Sequence, residues 1–319
     1  YLFAIGCTVD QESEVTATNS SAMVELLNSI RNNPDVEANS FLNDDRIIWM
    51  QKKERPQNPI DRVRNDIALA EELLKAGKTL EAIDRIESVE PLARRYNITT
   101  RPSLENLKAI SYFRLAEQQN CLPSRDFAMC TVPVHDEAVH VEQQAMRQAI
   151  DLYQDILARG ERDLTSVWLL NLAYMAIGEY PEKVSKNLLI PPSVFDSEYD
   201  MKNFKNVALS AGLDVVGLSG GVLLDDFNND GMLDVVCSSW DLRDQVRYFE
   251  NAGVAGFVDR TNQSGLNGIT GGLHMLNADY DNTGTVDIYM LRGAWFGEQG
   301  LFPNSLLRND GEGAFRDVT

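Results

Sequence analysis

The sequence predicts an α+β multidomain chain in which N-terminal α-helical repeats are followed by β-propeller-type blades. Three observations carry this. Apolar residues recur at three- and four-residue intervals between residues 60 and 187. Beyond residue 204 the apolar period falls to two and Gly, Asn and Asp turns multiply. Within that second part, separate motifs return at one common interval. The length of 319 residues suits two domains better than one, and an apolar fraction of 44% supplies an ordinary core.

In chain order, residues 1–59 are expected to form an extended N-terminal arm with an irregular or helical lead-in. Tyr1-Leu2-Phe3-Ala4-Ile5-Gly6-Cys7 is apolar and then meets a Thr/Ser/Glu-rich run. Ala4-Ile5-Gly6-Cys7 resembles a bacterial lipobox, but an extended strand or arm over Tyr1–Ser21 is favoured over lipidation of Cys7. The chain starts without Met and stops inside a repeat motif, Phe315 to Thr319, so it reads as part of a longer polypeptide. No stretch approaches the roughly 20 apolar residues of a transmembrane helix.

Residues 60–187 are expected to be a helical domain. Ile60, Val63, Ile67, Ala70 and Leu74 place one apolar stripe on one helix face. Gly77 breaks it, and Leu80, Ile83 and Ile86 begin a second. Gly77 to Ile83 resembles the joint of a tetratricopeptide repeat, with Gly for the tight turn and small Ala82 for close helix approach. A second pair is expected from Ala149, Tyr153 and Ile156, then Trp168, Leu172 and Met175, ending at Gly178; a generic α-hairpin bundle is the competing reading. Cys121 and Cys130 stand close together in a Pro-containing stretch expected to be irregular, and are paired here as a disulfide, with two free thiols as the alternative. An oxidised pair implies an extracytoplasmic compartment. Cys237 reads as a small buried hydrophobe. His135 and His140 are five apart, which fits neither the i,i+4 ligand pair of a zincin nor a Cys/His finger, and are expected to be ordinary polar residues. Residues 188–203, with Pro191-Pro192 and no helical period, are the expected linker.

Residues 204–319 carry the repeats. Phe204…Gly212-Leu213 returns as Phe257…Gly265-Leu266, 53 residues on, and Phe315-Arg-Asp-Val-Thr319 begins a third time. Asp226 and Asp279 keep the same interval. Tyr248-Phe-Glu-Asn251-Ala-Gly253 is matched by Leu307-Arg-Asn309-Asp-Gly311. A period near 50 with about four short strands per unit is the pattern of propeller blades.

The acidic loops are candidate metal sites. Asp226, Asn228, Asp230 and Asp234 put side-chain oxygens at positions 1, 3, 5 and 9, Gly231 permits the sharp turn, and Met232 would offer its carbonyl. Alternate inward oxygens from one tight loop suit Ca2+, whereas Mg2+ tolerates all-protein cages poorly. An EF-hand is excluded, because position 12 is Cys237 instead of Glu and the flanks read as strands. The second loop offers Asp279, Asp281, Thr283, Thr285 and Asp287; Thr283 replaces an acid, so this site is expected to be the weaker. The competing reading of each loop is an acidic turn without metal.

These residues resemble FG-GAP (VCBS-type) repeats, and the chain is similar to the cartilage acidic protein family, which couples a tetratricopeptide-like region to such blades. Arg114-Leu-Ala-Glu117, Asn120-Cys121…Cys130, Trp168-Leu-Leu-Asn171, Gly220-Gly221…Asp225-Asp226, Leu291 to Trp295 and Pro303 to Asn309 carry the likeness, over roughly residues 105–319. The resemblance implies a secreted or surface-attached, non-enzymatic protein that binds a protein or glycan ligand. It also implies a propeller of about seven blades, of which two and the start of a third are present; the family's terminal ASPIC/UnbV segment is absent. Two other functions are weighed. Open sheet edges and the N-terminal arm would suit a self-assembling fibre or scaffold, a homo-oligomer or polymer. A propeller-based carbohydrate-active enzyme is the third, against which no nucleophile–base pair is visible. A net charge of −19 disfavours nucleic acid and anionic lipid as partners. Asn19, Asn97 and Asn262 lie in Asn-x-Ser/Thr sequons, which carry glycans only in a host that uses that signal.

Overall fold

The computed structural model of the chain describes residues 10–98, 103–124, 132–134, 138–160, 163–196, 198–199 and 206–319. Its helices are α1 (Asp10–Asn32), α2 (Asn43–Lys52), α3 (Pro59–Lys75), α4 (Thr79–Arg95), α5 (Leu104–Ser124), α6 (Gln144–Ala158), α7 (Leu164–Ala176) and the single turn α8 (Ala208–Ala211). The strands are β1 (Val222–Asp225), β2 (Asp234–Cys237), β3 (Arg247–Asn251), β4 (Phe257–Asp259), β5 (His274–Ala278), β6 (Asp287–Leu291), β7 (Ser305–Asn309) and β8 (Phe315–Asp317). Two compact units result: residues 42–204, and residues 1–41 together with 205–319.

The first unit is a helical array. The Asn58 side chain caps α3 by accepting from the Ile60 and Asp61 amides, with Pro59 at the first helical position. Val63, Ile67 and Ala70 bury one face of α3 against Ile86 and Val89 of α4 and Leu107 of α5. The outermost residues of the expected stripes, Ile60 and Leu80, are exposed. Gly77 holds φ +75°, the left-handed conformation that turns α3 into α4, and Ala82 is fully buried behind it. Two carboxylates buried in this array are neutralised locally. Asp66 meets Arg55 at 2.6 Å and Arg85 at 3.4 Å, and Glu72 meets Arg46 at 3.3 Å and Lys75 at 3.4 Å.

Two expectations change here. Asn120 to Pro123, expected to be irregular, continues α5. Asn120 is the reason that turn is anchored: its amide donates to the Ala116 and Glu142 carbonyls and its oxygen accepts from the Val141 and Glu142 amides, all at 2.9–3.0 Å. The expected disulfide partner of Cys121, Cys130, lies outside the described residues, as does His135. On α7 the core is made by Leu170, Ala173, Tyr174 and Ile177, the last just past the helix, with Ala145, Met146, Ala149, Ile150, Tyr153 and Ile156 of α6. Trp168, expected in the buried stripe, is 40% exposed and instead stacks at 5.9 Å on Phe195. Of the same expected stripe, Met175 is 1% exposed and Leu172 packs against the core, so Trp168 alone departs from it. Asn171 donates to the Leu188 carbonyl and accepts from the Ile190 amide, which pins the start of the expected linker onto α7.

The second unit contains two four-stranded antiparallel sheets in plain sequence order, β1-β2-β3-β4 and β5-β6-β7-β8. Registers correspond between them: Leu223 faces Val236 across β1 and β2, and Leu276 faces Tyr289 across β5 and β6. The core between the sheets joins Leu223, Phe227, Val236 and Tyr248 to Met275, Ile288, Met290, Leu307 and Phe315. The returning Gly-Leu motif has a steric cause. Gly212 (φ +81°) and Gly265 (φ +76°) sit where a Cβ would lie 2.5 Å from the Phe257 carbonyl oxygen and 2.3 Å from that of Phe315.

Residues 10–32, placed in the sequence reading within an extended arm and lead-in, form α1. Its Met23 and Leu27 are buried in the sheet core, and the Ser20 hydroxyl accepts from the Asp317 amide at 3.0 Å. Residues 10–21, expected in an extended arm able to pair as a strand, are thus helical, and residues 22–32 form part of the expected irregular or helical lead-in as helix. Among the described residues, no helix is long and apolar enough to cross a membrane.

Candidate metal centre

Each acidic loop joins two antiparallel strands of one sheet, β1 to β2 and β5 to β6. Their backbones coincide in type. Asn229 and Gly231 take φ +60° and +86°, and Asn282 and Gly284 take +58° and +86°. The first Asp of each loop organises the turn with both oxygens. Asp226 accepts from the Asp230 amide at 3.0 Å and the Gly231 amide at 2.8 Å; Asp279 accepts from the Thr283 and Gly284 amides, each at 2.9 Å. The last Asp of each loop is buried at the start of the returning strand. Asp234 Oδ1 accepts from the Asn251 amide at 2.8 Å, and Asp287 Oδ1 from the Asn309 amide at 2.7 Å.

The loops differ in what faces the second oxygen of that last carboxylate. Asp234 Oδ2 is taken by the Tyr248 hydroxyl at 2.8 Å. Both last carboxylates accept from the amide that follows their loop's first Asp, Asp234 from Phe227 and Asp287 Oδ2 from Tyr280 at 3.1 Å, but at the place on β7 that matches Tyr248 stands Leu306, which has no hydroxyl. Asp279, Asp281 and Asp287 then each bring an oxygen within 4.8 Å of the other two, the carboxylate triplet found among the described residues. In the first loop Asn228 and Asp230 satisfy one another, Nδ2 to Oδ2 at 2.9 Å, and Asp230 Oδ1 also accepts from the Met232 amide at 2.8 Å.

Electrostatics follow the geometry. Burial, with the charges of Asp281 and Asp279 added, pushes the Asp287 carboxyl above the ordinary carboxylate range against the pull of the Asn309 and Tyr280 amides. Burial likewise raises Asp234, with Asp230 adding to it, although the Asn251 amide and the Tyr248 hydroxyl oppose the shift. Two unit charges about 4 Å apart repel by about 4 kcal/mol at an effective dielectric near 20, less where a partner is as exposed as Asp279. Asp281 shows the residual demand most directly. Its Oδ2 meets Arg308 Nε at 3.1 Å, while its buried Oδ1 has no hydrogen-bond partner.

Beside the triplet, the Thr283 and Thr285 hydroxyls lie 2.9 Å apart, and Thr285 donates to the Asn309 carbonyl at 2.8 Å. All these donors are oxygen, with no imidazole or thiolate among them. Such a set selects hard cations over zinc or copper. An orphaned buried carboxylate oxygen within a convergent triplet fits a divalent cation.

Residues 226–290 match the FG-GAP-like repeat. The FG-GAP-like segment contains both acidic loops and the strands between them, and covers less than half of the chain. No curated protein and no solved structure matches the chain.

Several residues that shape the FG-GAP-like loops went unassigned in the sequence reading. Asn309 binds Asp287 through its amide and, through its side chain, the Val286 and Phe227 carbonyls at 3.0 and 2.8 Å, so it ties one acidic loop to the other. Asn251 does the first half of this for Asp234. Their recurrence in the two hairpin motifs was the available signal. Tyr248 and Arg308 belong to the same two motifs but do not recur between them, since Leu306 stands at the place of Tyr248 and Glu250 at that of Arg308.

Elsewhere, His140 is buried, and its Nε2 lies 4.0 Å from Cys121 Sγ. Among the described residues, the buried His140 Nδ1 has no hydrogen-bond partner. Cys237 is half-buried on the outer side of β2.

Proposed function

We propose that this protein is an extracytoplasmic calcium-binding protein, secreted or at the cell surface, with a non-enzymatic binding or adhesion role. The observation that carries this reading is the unpartnered, buried Oδ1 of Asp281 inside the Asp279, Asp281 and Asp287 triplet. Asp279, Asp281 and Asp287 would hold the ion, with Thr283 and Thr285 alongside; Asp226, Asn228, Asp230, Asp234 and the Met232 carbonyl would form a second site. Bound Ca2+ supplies charge neutralisation and cross-links a loop to the strand that follows it. The FG-GAP-like match supports this reading of both loops. Similarity to the cartilage acidic proteins and tetratricopeptide-like character for residues 60–187 belong to the same proposal, with the helical array offering a protein or glycan ligand its surface.

The test is thermal melting and limited proteolysis of the chain in calcium and in chelator, beside the Asp281→Asn variant. A ligand at 100 times its Kd stabilises by about 2.7 kcal/mol, which for a unit of this size raises Tm by about 5–10 °C. Asp281→Asn is expected to lose at least half of that rise. Identical melting and cleavage with and without calcium would sink the proposal.

A further inference from the structure

Against a net charge of −19, one pocket of the helical array is rich in arginine. It encloses about 300 Å³ beside α3 and α4, and every residue lining it belongs to the helical unit. Arg62 and Asp66 stand one turn apart on α3, and Leu92 and Arg95 follow at helical spacing on α4. Arg55 joins them from the segment between α2 and α3, and Val89 adds to the apolar wall. A small cavity with apolar walls and a few convergent polar groups is the usual form of a small-molecule site.

The charges here are anchored from within. Asp66 is 1% exposed and both its oxygens are engaged, Oδ2 by Arg55 at 2.6 Å and Oδ1 by Arg85 at 3.4 Å. The buried carboxylate thereby holds the Arg55 fork at the pocket while that side chain stays 48% exposed. Among the described residues Arg62 and Arg95 have no ion-pair partner, and Arg95 lies 5.8 Å from the neutral Tyr96 ring. Counting Arg85, four guanidiniums gather around one carboxylate that is already paired twice. Arg62 and Arg95 stay uncompensated in a chain with 48 acidic residues to draw on. Planar forks with free N–H groups match the paired oxygens of carboxylates and phosphates.

We propose that this pocket binds a small molecule carrying two oxyanion groups, read by the forks of Arg62 and Arg95 with Arg55 as a third donor. Carboxylate and phosphate groups share that chemistry, and the size of the cavity keeps the link between them short. The site goes beyond the calcium reading and does not depend on it, since no acidic-loop residue lines the pocket.

The test is isothermal titration calorimetry of the full chain with succinate and with pyrophosphate, with acetate at matched ionic strength as the control. Calcium is removed on a chelating resin, because soluble chelators are themselves polycarboxylates and pyrophosphate precipitates the metal. At least one of the two anions should bind one to one with a Kd below about 1 mM, and acetate should not bind. Binding of succinate assigns a dicarboxylate ligand, and binding of pyrophosphate alone assigns a phosphate one. Arg62→Gln and Arg95→Gln should each weaken that binding by about tenfold or more. Their urea midpoints should match the wild type, because neither side chain holds an ion pair in the fold. Should either midpoint fall, Arg62→Lys or Arg95→Lys takes its place and is expected to weaken binding too, since an ammonium cannot grip both oxygens of one acid group. No heat from either anion at about 10 mM, equal binding of acetate, or unweakened binding in either variant overturns the proposal.

Discussion

Asp234 and Asp287 hold the same place in two loops of the same backbone and differ in a neighbour one strand away. Tyr248 donates to Asp234, whereas Leu306 leaves the Asp287 side free to join Asp279 and Asp281. The acids of both loops were legible from spacing alone, because a tight turn with alternate oxygens needs only local sequence. The neighbour was not, because the hydroxyl that engages the first loop's Asp sits on another strand. Tyr248→Phe is expected to remove one donor from the buried Asp234 carboxylate and to cost about 1–3 kcal/mol in chelator. Calcium at the first loop would then restore part of that loss. Chemical denaturation of the variant should therefore show a larger calcium-dependent increment than that of the wild type.

At the level of the element, the helical array is fastened by polar side chains that bridge helices to the chain beyond them. Asn120 makes four hydrogen bonds from the last turn of α5 to residues 141–142 and its own helix. Asn120→Ala would leave buried backbone groups unsatisfied at about 1–3 kcal/mol for the worst of them, so the urea midpoint of the helical unit should fall clearly. His140 adds a pH dependence. Burial lowers its pKa below the ordinary value of 6.5, so the folded chain holds fewer protons than the unfolded chain at mildly acidic pH. Its contribution is therefore present above about pH 6.5 and is lost as pH falls toward the lowered value, at up to about 1.4 kcal/mol per pH unit. His140→Gln should flatten the urea midpoint measured between pH 5 and 7, which remains steep in the parent. Helix pairs on either side of Gly77 were legible from periodicity, as were Leu172 and Met175 on α7, whereas the exposure of Trp168 was not, because its partner Phe195 lies beyond that helix.

Over the whole molecule, two compact units with separate cores predict two calorimetric transitions. Calcium should raise the one belonging to the sheets and leave the helical one in place; a scan in calcium and in chelator checks it, and a common shift of both counts against separate cores. The repeat interval, the change of apolar period near residue 204, the acidic loops and the Gly212 and Gly265 turns were determined by sequence, since each depends on residues close together in the chain. Long-range packing decided the rest. It turned residues 10–32 into a helix whose Met23 and Leu27 complete the sheet core, gave Trp168 to Phe195, and set Tyr248 against Asp234 but nothing equivalent against Asp287. Local pattern fixes which residues alternate or recur. Which face is covered, and which carboxylate oxygen is left without a donor, depends on segments distant in sequence that only the folded chain brings together.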